Sequence, residues 1–116
     1  MTAYRRIASH LLWTPQGVVR NPLVVFSPDG RPLRVEQCAD PDRQSATEFY
    51  AGLLVFDFPP NYGTFFGKWC AEQAPLRERL PQCVPAPQGI AVVLSGMDYD
   101  GLRLTPQTRI TPIFAK

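Results

Sequence analysis

The chain contains a single histidine, His10, and its three cysteines, Cys38, Cys70 and Cys83, form neither a C-x-x-C pair nor a disulfide framework. A hydrolytic zinc site uses about three protein ligands, commonly several of them imidazoles, so metal catalysis lacks the residues it needs. No cofactor is implied. No apolar run approaches the ~18 residues that span a bilayer, and Met1-Thr2-Ala3-Tyr4-Arg5-Arg6 leads into a mixed polar segment instead of an apolar one. Arg5-Arg6 is the longest basic cluster, and 12 basic against 10 acidic residues give a formal charge of +2. Neither nucleic acid nor a membrane is expected as a partner, and a cytoplasmic protein fits best. The cysteines read as free thiols, a Cys70–Cys83 bridge being compatible only with an oxidising compartment.

Proline and glycine are plentiful. With 13 prolines and 8 glycines among 116 residues, the chain is cut into pieces mostly too short for a stable helix but long enough for strands. Hydrophobic residues at 45% and charged residues at 19% lie far from the composition of disordered chains, so one folded domain is expected.

The first strand is predicted over Arg5–Trp13, with Ile7, Leu11 and Trp13 on one face at period two. A second runs from Asn21 to Phe26. Ser27-Pro28-Asp29-Gly30 supplies turn chemistry, and Pro32–Gln37 returns with an alternation that implies one wet and one buried face. Cys38–Thr47 reads as a loop. Glu48-Phe49-Tyr50 enters another strand, interrupted at Ala51-Gly52, resumed through Leu53–Phe58 and stopped by Pro59-Pro60. Spacings of three and four then predict a short helix over Thr64–Ala74 with Thr64 near its N-cap, and a second helical turn over Leu76–Leu80 led by Pro75 and ended before Pro81. From Gly89 the chain returns to β: Ile90–Leu94, a turn at Asp98-Tyr99-Asp100-Gly101, a return through Leu102–Leu104, and a last strand over Arg109–Phe114 whose Pro112 predicts a sheet edge.

Two stretches resemble a known family. Arg5–His10 through Glu48–Val55 is similar to the amino-terminal part of metal-dependent amidohydrolases related to cytosine deaminase. Gly89–Asp98 followed by Leu102–Ile110 is similar to the carboxy-terminal end of the same enzymes. In that family both ends combine into a small β-sandwich beside a (β/α)₈ barrel that carries the metal. The His-x-His motif that follows the matching strand is replaced here by Phe56-Asp57-Phe58-Pro59-Pro60-Asn61-Tyr62, and Asn61–Gln88 is far short of the ~200 residues a barrel takes. The resemblance therefore implies a composite sandwich without its catalytic domain.

The expected fold is mainly β: a small sandwich or barrel-like domain with amino-terminal strands over 4–58, a connector with one or two short helices over 59–88, and carboxy-terminal strands over 89–115. Phe58, Tyr62, Phe65, Phe66 and Trp69 are the candidate interface or pocket residues, and their plainer reading is a connector that folds over the sheet as core. The leading expectation is a non-catalytic structural or interaction protein, its partner itself as a homodimer or another protein. The alternative is a small-ligand-binding or regulatory module with a pocket lined by Tyr62, Phe66, Trp69 and Asp57. A Cys–His nucleophile built on His10 is the residual enzymatic reading, and Asp98 with Asp100 reads as turn chemistry before paired carboxylates.

Overall fold

The computed structural model describes residues 4–37 and 47–113. The expected loop therefore lies, apart from Thr47, outside the described residues, as does Phe114. The fold is mainly β, as the sequence predicts. Its strands are β1 (Arg5–Thr14), β2 (Gly17–Arg20), β3 (Pro22–Phe26), β4 (Pro32–Gln37), β5 (Thr47–Phe58), β6 (Ile90–Ser95) and β7 (Arg109–Pro112). Two short helices, α1 (Phe66–Ala71) and α2 (Leu76–Cys83), occupy the connector.

All seven strands belong to one sheet in the order β4-β3-β1-β5-β6-β7, with β2 paired to the far half of β1. The two family-like ends thus share a ladder, because β5 pairs with β6. Only β1 and β5 run parallel. β7 is an edge strand, as Pro112 predicts. The sheet curls strongly. Arg5 Nη1 donates to the Ile113 carbonyl oxygen at 3.1 Å, although β5 and β6 separate β1 from β7. Three flat strand spacings would hold those groups ~14 Å apart, beyond the reach of one arginine.

Curling gives the sheet a buried layer on each face. One core gathers Leu53, Val55, Phe58, Val92 and Leu94 under Phe66, Leu76 and Leu80 of the helices. The other gathers Ile7, Leu12, Val24, Phe26, Leu54 and Val93 on the opposite face. Two bulges decide which residue enters which core. Between Ser9 and Leu11, two steps along β1 match three along β5, where Ala51-Gly52 sits. The expectation that Ile7, Leu11 and Trp13 share a face fails for this reason: Ile7 joins the second core, whereas Leu11 and Trp13 pack on the helix-side core. Ser9, buried at that slip, is satisfied because its hydroxyl donates to the Leu11 carbonyl at 2.8 Å. The second bulge lies between Val55 and Phe58, opposite β6, with Asp57 in the left-handed region at φ 56°. It brings Val55 and Phe58 to the same face.

Several expectations need correction. Gly17–Arg20, unassigned from the sequence, forms β2 as the return arm of a tight hairpin with β1. The first helix begins at Phe66, after a 3₁₀ turn over Tyr62–Thr64, and the Thr64 hydroxyl donates back to the Asn61 carbonyl at 2.9 Å instead of capping it. α2 continues through Pro81 to Cys83. Pro81 and Arg77 are both exposed, so the carbonyl that proline leaves unpaired has access to water. Leu102–Leu104 is no sheet strand. Leu102 and Leu104 bond to the connector, Leu76 N to Leu102 O at 2.8 Å and Leu104 N to Ala74 O at 3.0 Å, and both leucines are buried in the helix-side core.

β4 also departs from its pattern. Leu33 and Val35 lie on the face shared with Val24 and Phe26, yet they are 56% and 44% exposed. β4 is the outermost strand, and the curl closes the second core before reaching it. No helix among the described residues is long and apolar enough to cross a membrane.

Candidate functional site

The five predicted aromatic residues meet around one ring. Phe58, fully buried, has centroid distances of 6.2 Å to Tyr62, 6.1 Å to Phe65, 6.3 Å to Phe66 and 6.4 Å to Trp69. These separations and mostly tilted or edge-on angles fit the attraction between a ring's positive edge and a neighbour's negative face. The bulge at Asp57 aims Phe58 at the helices, and α1 returns Phe66 and Trp69 to it from one turn apart. Phe65 packs against Trp69 at 4.6 Å with the rings tilted by 51°, and the Arg79 guanidinium lies 6.0 Å from the Trp69 ring centroid. Phe66 is buried, while Tyr62, Phe65 and Trp69 are half-buried. The connector is the lid of the helix-side core, and these rings join Cys70, Ala74, Leu76 and Leu80 in holding it there.

A cleft of about 920 Å³ opens beside the cluster, between the β3–β4 turn and the connector. Asp29, Arg31, Asp57, Tyr62, Gln88 and Pro112 are among its walls. Of the residues expected to line a pocket, Asp57 and Tyr62 reach this cleft, whereas Phe66 and Trp69 do not contribute to its walls. The turn side is preorganised: the Ser27 hydroxyl bonds the Asp29 carboxylate, the Arg31 amide donates to Ser27 Oγ at 3.1 Å, and Arg31 Nε stands 3.5 Å from Asp29 Oδ2. The Ser27 hydrogen bond, helped by the Arg31 charge, holds the Asp29 carboxyl below the usual carboxylate range. A second hollow of about 210 Å³, almost wholly apolar, lies on the other side of Asp57 between Trp13, Phe56 and Pro85.

The chemical candidates are dispersed. His10 is exposed on β1, edge-on to Phe49 at 5.2 Å. Cys70 is buried in the helix-side core and Cys83 is half-buried at the end of α2, both free. Burial pushes both thiols up from their ordinary value. Cys38 lies outside the described residues. Asp98 does serve its turn, accepting from the Gly101 amide at 3.3 Å while its backbone exchanges two bonds with Arg103. No group of three His, Cys, Asp or Glu side chains among the described residues is placed to hold a metal ion.

The sequence reading missed the half of the sheet left bare by the helices. Tyr4 and Phe49 are 64% and 50% exposed, and with Leu33 and Val35 they make up the exposed large apolar side chains of the described residues. Tyr4 precedes β1, Phe49 pairs with Ala8 near the start of β5, and Leu33 and Val35 sit on β4; the register places Phe49 on the face of Ala8 and Leu23, and Leu33 with Val35 on the opposite face, that of Ile7 and Val24. The Leu33-Arg34-Val35-Glu36 alternation carried that signal, but alternation alone does not distinguish a buried face from an uncovered one. No family model, curated protein or solved structure matches the chain, so the resemblance to amidohydrolases rests on the quoted residues alone.

Proposed function

We propose that this protein is a non-catalytic interaction module that works by associating with a protein surface, first of all a second copy of itself. The carrying observation is β4, the outermost strand, whose Leu33 and Val35 stand exposed side by side on one face, while the richer aromatic cluster around Phe58 is turned inward. Adjacent exposed apolar side chains mark contact surfaces more than scattered ones do. Twofold pairing is the commonest way for a chain to cover such a surface. Light scattering over a range of concentrations is the test: the reading requires mass to rise toward that of a dimer, and a constant monomer mass counts against it.

A second reading has its own support. The cleft beside Asp57 exceeds the ~300 Å³ lower bound of ligand pockets and brings two carboxylates, a guanidinium and a phenol to its walls. A small polar molecule carrying both a cationic and an anionic group would match that lining. A thermal-shift screen over metabolites tests it, since ligand at 100 times its dissociation constant adds about 2.7 kcal/mol. Absence of any shift for zwitterionic compounds would remove this alternative.

A further inference from the structure

We infer that a second copy docks on the free edge of β4, in antiparallel register with Val35 on the twofold axis, so that two sheets join into one. This rests on the self-association reading above and specifies its surface. Among the described residues β4 pairs with β3 alone, so its outer edge offers the standing template for another strand.

The register follows from the side chains. A twofold axis perpendicular to the sheet keeps the two faces of each copy aligned, so only residues of matching parity come opposite one another. Pairings of the other parity would put Val35 against Arg34 or Glu36 and mix the apolar with the charged face. Among matched pairings, one centred on Arg34 sets arginine against arginine, and one centred on Glu36 sets glutamate against glutamate. Centring on Val35 sets Arg34 against Glu36 of the second copy, twice, and places the two Val35 side chains about 5 Å apart on the apolar face. Arg34 and Glu36 lie on the face opposite Val35, where they pair with each other at 3.7 Å with side chains 61% and 48% exposed. Docking re-pairs them across the axis instead of stranding them. Leu33, the bulged residue between Val25 and Phe26 in register, flanks Val35 on the apolar side and extends the contact. A net charge of +2 offers little repulsion between copies. A single strand edge makes a small interface, so the dimer is concentration-dependent.

The test uses the full 116-residue chain. Arg34→Glu and Glu36→Arg each create two like-charge pairs at the axis and are expected to raise the dimer dissociation constant by about tenfold, or ~1.4 kcal/mol. The double exchange R34E/E36R restores opposite charges and returns the constant to within about twofold of wild type. Val35→Cys, under mild oxidation, is expected to give a covalent dimer beyond whatever the native thiols of the wild type give. All of these positions are exposed, and circular dichroism verifies folding. Three results overturn the assignment: a wild-type dimer indifferent to both single reversals, a double exchange that fails to restore pairing, or no excess cross-linking at position 35. A wild-type chain that stays monomeric at the highest soluble concentration instead removes the self-association reading itself, and with it the β4 interface.

Discussion

Gly89 stands directly against Asp57: a methyl group at Gly89 would lie 2.5 Å from the Asp57 Cα and carbonyl carbon. The approach is backbone on backbone, so no rotamer change relieves it. It arises because the Asp57 carbonyl, turned outward by the bulge, accepts from the Ala86 amide at 2.9 Å, and Gly89 closes the same turn by donating to Ala86 O at 3.0 Å. The strap between α2 and β6 is thereby clamped to the bulge that aims Phe58. Gly89→Ala is expected to lower stability by about 1–3 kcal/mol. Gly63→Ala, where a methyl group meets nothing within 4 Å, should stay within ~0.5 kcal/mol. Urea midpoints compare the two, and equal effects would show that the clamp is not rigid.

The aromatic cluster predicts a steep dependence on its centre. Phe58→Ala removes the ring that Tyr62, Phe65, Phe66 and Trp69 all touch, and is expected to cost about 3–5 kcal/mol, a large part of the stability of a domain this size. Phe65→Ala, at the half-buried rim, should cost less than half as much. Chemical denaturation followed by tryptophan fluorescence reports both, because Trp69 lies in the cluster. A Phe58→Ala loss no greater than that of Phe65→Ala would mean that the helices, not the ring, hold the connector down.

These two sites show how far the sequence could be read. The apolar content of Leu53–Phe58 and Ile90–Leu94 and the three-and-four spacing of Phe66, Trp69 and Cys70 were legible because burial follows periodicity. Which core each residue enters was not. A bulge moves every later side chain to the other face, and its cause at Ser9–Leu11 lies in the pairing with β5, about 40 residues away in the chain. Leu102–Leu104 reads from its sequence as a return strand, but its hydrogen-bond partners, Ala74 and Leu76, lie in the connector, since those backbone groups become available only after α1 ends. The exposed face of β4 was hidden for the same reason. Exposure there depends on where a curled sheet closes, which no local pattern records.

The thiols make a separate prediction. Cys70 is buried with its Sγ 4.0 Å from the Thr108 carbonyl, and burial raises the pKa of both Cys70 and Cys83, so little thiolate forms near neutral pH. Iodoacetamide labelling of native protein, resolved by peptide mapping, should modify Cys83 faster than the more buried Cys70. Cys70 should react at least roughly tenfold more slowly than in denaturant. Rapid native labelling at either position would revive a nucleophilic role.

Arg5 and Glu48 give the fold an acid-sensitive tie between its two parallel strands. The guanidinium binds the carboxylate through two oxygens, Nε to Oε2 at 2.6 Å and Nη2 to Oε1 at 2.5 Å, and this hydrogen bonding, with the arginine charge and the Tyr50 hydroxyl, holds the Glu48 carboxyl below its ordinary value. A depressed carboxyl stabilises the fold above its unfolded pKa and loses that effect as pH falls through the folded one. The contribution is therefore constant above about pH 5 and decays below it. Arg5 is raised from an already high value, so its own titration adds nothing in this range. With side chains 30% and 43% exposed, solvent screening limits the pair to about 0.5–1 kcal/mol. Glu48→Gln should cost that amount at pH 7, and the gap between variant and wild type should close as pH falls toward about 3. Urea unfolding of both proteins across that range measures the gap. A gap of the same size at both ends would show that the glutamine loses packing, not charge, and that the ion pair is not what ties β1 to β5.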